Sequence, residues 1–224
     1  MEKEHTIKVL DHGFVTYVDS MGTDSDIAAG ARTSYGTTES KGEEADRKLI
    51  SYLYKNKHTS PFELIKIKFQ IKLPIFVMRQ YVRHRMQNLN EVSARYSKLP
   101  NEFYVPEENK WRVQATKNKQ SSKGTYLGTN AYSEFVKEHC EDSYRLYENM
   151  LESGIAREMA RMVLPLNIYT MIICTWDLKN LLHFISLRDD SHAQAEIQEY
   201  GKAIKSILVE LFPWTMEVYE ERNH

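Results

Sequence analysis

Cysteine is scarce: Cys140 and Cys174 are the only two in 224 residues. They lie far apart with no C-x-x-C spacing, which excludes a zinc knuckle or a disulfide framework and suits a reducing compartment. Long apolar runs are missing too. No stretch approaches the roughly 18 consecutive apolar residues of a membrane span, and the N-terminal MEKEHTIKVL has no apolar run behind a basic one. Neither a membrane partner nor a leader is expected, and the chain is expected in the cytoplasm. Excess charge of either sign is also absent: 30 Lys and Arg stand against 31 Asp and Glu, for a formal net charge of -1. No global field therefore draws the protein to polynucleotides. No G-x-G-x-x-G follows a strand, and G-x-x-x-x-G-K-S/T, H-E-x-x-H and G-x-S-x-G do not occur. Any phosphate must be held by side chains, and no metal site is expected.

What is present reads as one domain across residues 1–224, since 42% hydrophobic and 27% charged residues suffice for a single core of this length. Thr6 to Leu10 and Phe14 to Asp19 predict a hairpin about Asp11-His12-Gly13. Helical spacing covers Glu43 to Tyr54 and is broken by His58-Thr59-Ser60-Pro61. From Glu63 to Leu73 apolar and polar residues alternate, predicting a strand with one buried face. Pro74 suits the first turn of a short helix carrying Ile75, Met78, Tyr81 and Val82. Glu102 to Pro106 reads as a short extended piece, and 107–130 as a long polar loop. Helices are expected at Ala131 to Ser153, stopped by Gly154, and at Ile155 to Leu164. A strand is expected at Asn167 to Trp176, then a helix Leu178 to Leu187 capped by Asp177. A last helix runs from a Ser191-x-x-Gln194 capping box to about Leu211, where Phe212-Pro213 stops it. Without regular βαβ alternation, the fold class is α+β: an antiparallel-rich central sheet flanked by helices.

Arginine is concentrated in three places: Arg79, Arg83, Arg85 and Arg95; Arg157 and Arg161; and Arg188. Guanidinium groups suit bidentate recognition of phosphate or carboxylate and polarisation of a carbonyl. The stretch RHRMQNLNEVSARYS, Arg83 to Ser97, fits a solvated basic helix end, a nucleic-acid patch or a pocket for a small anion. A nucleic-acid reading would use Arg79, Arg83, Arg85, Lys98 and the Lys117 to Lys123 segment, with Tyr96 and Trp111 as stacking platforms; the balanced net charge argues against it. His58 before a proline reads as a turn residue, His183 as one on an apolar helix face, and Ser93 as a local hydrogen-bonding residue.

Arg-His-Arg, then seven residues, then Ser, as in Arg83 to Ser93, resembles the signature of the flavin-dependent thymidylate synthases. HTSPFE (58–63), PIFVMRQYVRHR (74–85), NEVSARYSKLP (90–100), REMARMVLPLNIYT (157–170) and LRDDSHAQAEIQEY (187–200) are similar to segments of that family in the family's order. The resemblance implies a homotetramer with active sites at subunit interfaces, no nucleic-acid partner, and conversion of dUMP to dTMP. The one-carbon unit would come from 5,10-methylenetetrahydrofolate and the hydride from FAD reduced by NADPH.

By the same resemblance dUMP falls to Gln80, Arg83, Glu91, Val92, Ser93, Ala94, Arg95, Arg161 and Arg188. FAD falls to Ser60, Arg83, His84, Arg85 and Glu91, and folate to His58. A second flavin segment, Asn, Arg and Asn in some members, is here Asp177, Lys179 and His183; Lys179 can meet phosphate as a point charge without a bidentate fork. The catalytic candidates are Arg188, which would polarise the uracil ring, and Ser93. No base for Ser93 is evident, and a phosphate-binding role explains that hydroxyl equally well. Trp111 to Lys123 is similar to an insertion found in part of the family and implies at most a cover over the cofactor.

Overall fold

A computed structural model of the chain describes residues 5–116, 122–128 and 131–223. Strands β1 (Thr6–Val9) and β2 (Gly13–Met21) form the expected antiparallel hairpin. Gly13 is required there, because a Cβ would collide with the Tyr200 hydroxyl and the Val9 carbonyl. Helix α1 (Asp24–Arg32), unanticipated from the sequence, is tied to α2 (Glu43–Lys55) by a buried pair between Arg32 and Asp46. The expected break at 58–61 is a single helical turn, α3 (Ser60–Glu63), with Pro61 in its first positions, where no intrahelical N–H is needed. The next strand, β3 (Lys66–Pro74), accordingly starts three residues later than the alternation suggests. Its Ile67, Phe69, Ile71 and Leu73 are fully buried, each contributing about 1.5–3 kcal/mol, while the lysines between them face outward. Pro74 ends β3 and caps α4 (Ile75–Tyr81) instead of sitting inside its first turn.

Beyond α4 lies β4 (Gln87–Glu91), a strand that its polar sequence QNLNE conceals; pairing to a later strand supplies what local propensity lacks. The expected loop 107–130 contains a small hairpin, β5 (Arg112–Gln114) and β6 (Ser122–Thr125). Long-range bonds anchor it: Trp111 Nε1–H donates to Ser133 Oγ at 2.9 Å, and Arg112 reaches Glu196 at 2.6 Å. The loop positions 117–121 and 129–130 lie outside the described residues.

Helix α5 (Tyr132–Glu152) matches expectation, with Gly154 at φ +81° beyond its end. The helix expected at 155–164 is only α6 (Arg157–Ala160) and a 3-10 turn at Arg161–Val163, because Ala156 is extended. Strand β7 (Tyr169–Asp177) and α7 (Leu178–Arg188) follow, and Asp177 caps α7 by accepting the Asn180 N–H at 2.9 Å. The capping box at 191–194 does not form. Helix α8 (Ala195–Leu211) starts after Gln194, whose side chain is drawn away by Gln80 and Glu196. Pro213 both stops α8 and opens a further, unanticipated helix, α9 (Pro213–Asn223). The Asp24 carboxylate accepts the Trp214 N–H at 2.8 Å, fastening α9 to α1.

The main sheet runs β1-β2-β3-β7-β4, antiparallel throughout, as the α+β expectation requires. One face is buried with α2, α4, α7, α8 and α9 in the larger core. A second core of Ala94, Leu99, Phe103, Tyr144, Tyr147, Ala160 and Ile168 lies under α5 and seats the turn after β4.

Candidate active site

After β4 the chain turns sharply. Val92 N–H donates to the Met171 carbonyl at 2.9 Å, and the N–H groups of Tyr96 and Ser97 both reach the Ser93 carbonyl at 3.0 Å. Ser93 Oγ accepts the Arg95 N–H at 3.3 Å, and Ala94 is buried in the second core. This turn borders a cavity of about 650 Å³ that also takes in Arg79, Glu91, Glu158, Arg161 and Thr170. Its two carboxylates are both engaged: Glu91 accepts the Thr170 hydroxyl at 2.7 Å and keeps its charge, whereas Glu158 is ion-paired with Arg95 at 3.2 Å. Among the described residues, Arg79 and Arg161 have no carboxylate within salt-bridge distance, so both guanidinium groups remain open to a further partner.

The Arg-His-Arg segment lies beyond the end of α4, where Gln87 Nε2–H₂ donates to the carbonyls of His84 at 2.8 Å and Tyr81 at 3.4 Å. The His84 ring packs edge-on against Phe184 at 4.9 Å, and its Nε2 accepts the Arg188 Nε–H at 3.0 Å. That bond requires a neutral imidazole protonated on Nδ1. Burial, reinforced by the neighbouring Arg188 and His183, pushes the His84 imidazole down to about 4. Arg188 thus spends its Nε–H on His84, and among the described residues its two terminal nitrogens have no hydrogen-bond partner. Gly201 of α8 lets the Arg188 backbone approach, since a Cβ there would meet the Arg188 carbonyl carbon at 3.2 Å. Arg83, His84, Arg85, Trp176, His183 and Arg188 line a cavity of about 560 Å³. His183 also borders a neighbouring cavity of about 310 Å³ with Lys57, His58, Lys179 and Arg222.

The neutral state of His84 has a measurable consequence. An unfolded histidine titrates near ~6.5 and so takes up a proton before the folded one does. Its contribution to stability is complete above that pH and is lost as pH falls towards about 4. The melting temperature of the wild type should therefore fall more steeply between pH 6.5 and 4.5 than that of His84→Gln. Parallel curves would mean that the folded imidazole carries a proton.

Several sequence expectations are relocated. His183 does not lie on a buried apolar face but is exposed between two cavities. Asp177 lines neither cavity: besides its cap, it accepts both bonds of the Asn180 amide nitrogen, at 2.9 and 3.0 Å. Ser60 is exposed at the start of α3, with His58 and Thr59 forming the cavity wall instead. Within one chain Arg83 and Arg188 do not meet Glu91, Val92, Ser93, Ala94 or Arg161, because they line different cavities. Gln80, half-buried on α4, points its amide at Gln194.

A family model described as thymidylate synthase complementing protein, Thy1, matches residues 16–214. The chain is 48% identical over 221 residues to a flavin-dependent thymidylate synthase of Thermus thermophilus, covering 99% of this chain and 80% of that protein. It is 43% identical over 217 residues to a protein of the same name from Thermosipho melanesiensis, covering 97% and 94%. The chain belongs to the flavin-dependent thymidylate synthase family. The solved structure of a UMP/dUMP methylase, PolB from Streptomyces cacaoi, bound with 5-Br dUMP, superposes with a TM-score of 0.86 at 32% identity, covering 96% of this chain and 97% of that one.

In this member of the flavin-dependent thymidylate synthase family, the structure adds residues that the sequence did not assign to nucleotide, flavin or folate. Arg79, grouped with Arg83 in the sequence, sits four positions before it, a spacing that signals a shared helix face, yet α4 ends between them and they line different cavities. Thr170 and Gln87 carry no local signal; only β-pairing and the turn at 82–86 bring them to their partners. Lys57, in the left-handed region at φ +59°, and Arg222 from α9 reach the His58 cavity by tertiary packing alone. Neither cysteine is available as a nucleophile. Both are buried, and burial pushes the Cys174 thiol up to about 11, where Tyr81 lies against it at 3.1 Å.

Proposed function

We propose that this protein methylates dUMP to dTMP, with 5,10-methylenetetrahydrofolate as one-carbon donor, FAD as redox cofactor and NADPH as reductant. The observation that carries the reading is the pair of cavities whose arginines Arg79, Arg161, Arg83, Arg85 and Arg188 have no carboxylate partner among the described residues, in a chain that matches flavin-dependent thymidylate synthases over almost its whole length. The donor set fits a flavin dinucleotide: Arg83, Arg85 and Lys179 supply charge for a pyrophosphate without a glycine loop, and the partly exposed His84 ring supplies a surface for stacking, backed by the buried Trp176. When bound, reduced FAD supplies the hydride that completes the methyl group.

The remaining tasks fall to the chain. The turn Glu91, Val92, Ser93, Ala94, Arg95 and the guanidinium of Arg161 hold the nucleotide, with Ser93 Oγ and Arg95 on the phosphate. Gln80 and Arg83 approach it from a second subunit. Arg188, oriented by neutral His84, directs its terminal nitrogens at a uracil carbonyl, stabilising negative charge on the ring that makes C5 nucleophilic. His84 and His183 border the flavin, Asp177 supports that wall through Asn180, and His58 serves the folate. Division of the nucleotide ligands between two cavities of one chain supports a homotetramer whose sites form across interfaces, and the enzyme acts in the cytoplasm.

dTMP formation from dUMP, methylenetetrahydrofolate and NADPH, measured with FAD and with FAD omitted, tests the reading; no product with every component present would sink it. Ser93→Ala separates binding from covalent catalysis. The hydroxyl has no base beside it, so we expect a KM for dUMP raised by about 3- to 10-fold with substantial kcat. Loss of turnover with dUMP and flavin still bound would instead demand a reacting hydroxyl.

A further inference from the structure

The geometry points to Glu196 as a positioning residue that fixes the polarity of Gln80, so that Gln80 meets the nucleotide with its carbonyl oxygen and not with its amide nitrogen. This rests on the reading of Gln80 as a nucleotide contact.

Three side chains form a directed chain of hydrogen bonds. Glu196, buried at the start of α8, places Oε2 2.8 Å from Gln194 Nε2, and Gln194 Oε1 in turn accepts from Gln80 Nε2. A carboxylate only accepts hydrogen bonds, so the half of the Gln194 amide facing it must be the NH₂. The Gln194 carbonyl is thereby turned to Gln80, which must answer with its own NH₂. Gln80 Oε1 is left over, and among the described residues it has no hydrogen-bond partner.

The arrangement needs Glu196 charged. Burial acts against that charge, but the Arg112 guanidinium 2.6 Å from Oε1, the Glu196 backbone N–H and the Gln194 amide outweigh it and hold the carboxyl below its ordinary value. The Tyr104 hydroxyl donates to the same Oε1 at 3.3 Å. Arg112 comes from β5, so the hairpin inside 107–130 supports the site from behind and is more than a cover. An acceptor at Gln80 selects a hydrogen-bond donor on the ligand, either the imide N3–H of the base or a sugar hydroxyl. It disfavours a cytosine ring, whose N3 is itself an acceptor.

Glu196→Gln should reverse this polarity. Arg112 would claim the single carbonyl of the new amide and leave its NH₂ towards Gln194, so that both glutamines invert. Titration of dUMP into the flavin-loaded enzyme should show Kd raised about tenfold, as expected for one hydrogen bond made repulsive, with flavin stoichiometry unchanged. Adding Arg112→Ala to Glu196→Gln frees the new carbonyl to face Gln194, and most of the affinity should return. In a Gln80→Ala background Glu196→Gln should have no further effect. N3-methyl-dUMP and 2′,3′-dideoxyuridine monophosphate distinguish the two ligand donors: whichever analogue removes the true donor should bind wild type about tenfold more weakly than dUMP and lose that discrimination in Glu196→Gln.

If Glu196→Gln does not fold, Gln194→Ala breaks the same chain and should match Gln80→Ala without adding to it. A Gln80→Ala enzyme with undiminished dUMP affinity would remove Gln80 from the nucleotide site, and the proposal with it. Weak binding by Gln80→Ala, with Glu196→Gln neutral, additive or not rescued by Arg112→Ala, would overturn the positioning role while leaving the Gln80 contact in place.

Discussion

Arg188→Ala is expected to lower dTMP formation by roughly 10²- to 10³-fold, the usual loss on removing a preorganised donor aimed at developing charge, while the purified protein retains its flavin. The guanidinium is half-buried and held by a single bond to a neutral ring, so no carboxylate competes for it. Its charge is therefore available to the uracil, and desolvation makes it stronger than in water. Flavin should remain because the proposed phosphate contacts, Arg83, Arg85 and Lys179, are left intact. Absorbance at the flavin band with dTMP assayed in parallel reads both halves of the expectation. Near-normal turnover would remove Arg188 from the activation step, whereas loss of flavin would make it a cofactor ligand.

Complementation between two inactive variants carries an effect of similar size. Arg161 and Arg188 line separate cavities of one chain, yet both are assigned to a single nucleotide. Each variant, Arg161→Ala and Arg188→Ala, should be nearly inactive alone. Mixed oligomers formed by co-expression at equal levels should regain about a quarter of wild-type activity, because one pairing in four would unite an intact Arg161 with an intact Arg188 across the proposed interface. Mixtures as inactive as their parents would show that both arginines serve the site from the same subunit, and the interface reading would fall.

Local periodicity reaches some elements and not others. Alternation along 63–73 identifies β3 because a sheet with helices on one face demands it, and apolar spacing at 43–54 and 131–153 identifies α2 and α5 for the matching reason. Strand β4 escapes because QNLNE is held by its hydrogen bonds to β7 and by no apolar pattern of its own. The hairpin in 107–130 escapes because its anchors, Ser133 and Glu196, lie far along the chain. The capping box at 191–194 misleads because Gln194 finds a stronger partner in a buried carboxylate than in a helix N-terminus.

The arginine-rich composition of the site follows from the same distinction. Order and spacing of residues suffice to attach the chain to a family and to concentrate guanidinium groups near Arg83 to Arg95; by themselves they leave open what those groups bind. They are silent on which cavity each guanidinium enters. That is settled where α4 ends, at Tyr81, so that Arg79 and Arg83 diverge, and where α7 packs on the Arg-His-Arg turn, so that His84 is neutral and holds Arg188. Helix and strand periods are properties of neighbouring residues. The partner of a buried polar group is chosen from across the fold, by whichever donor or acceptor spares it an unsatisfied hydrogen bond.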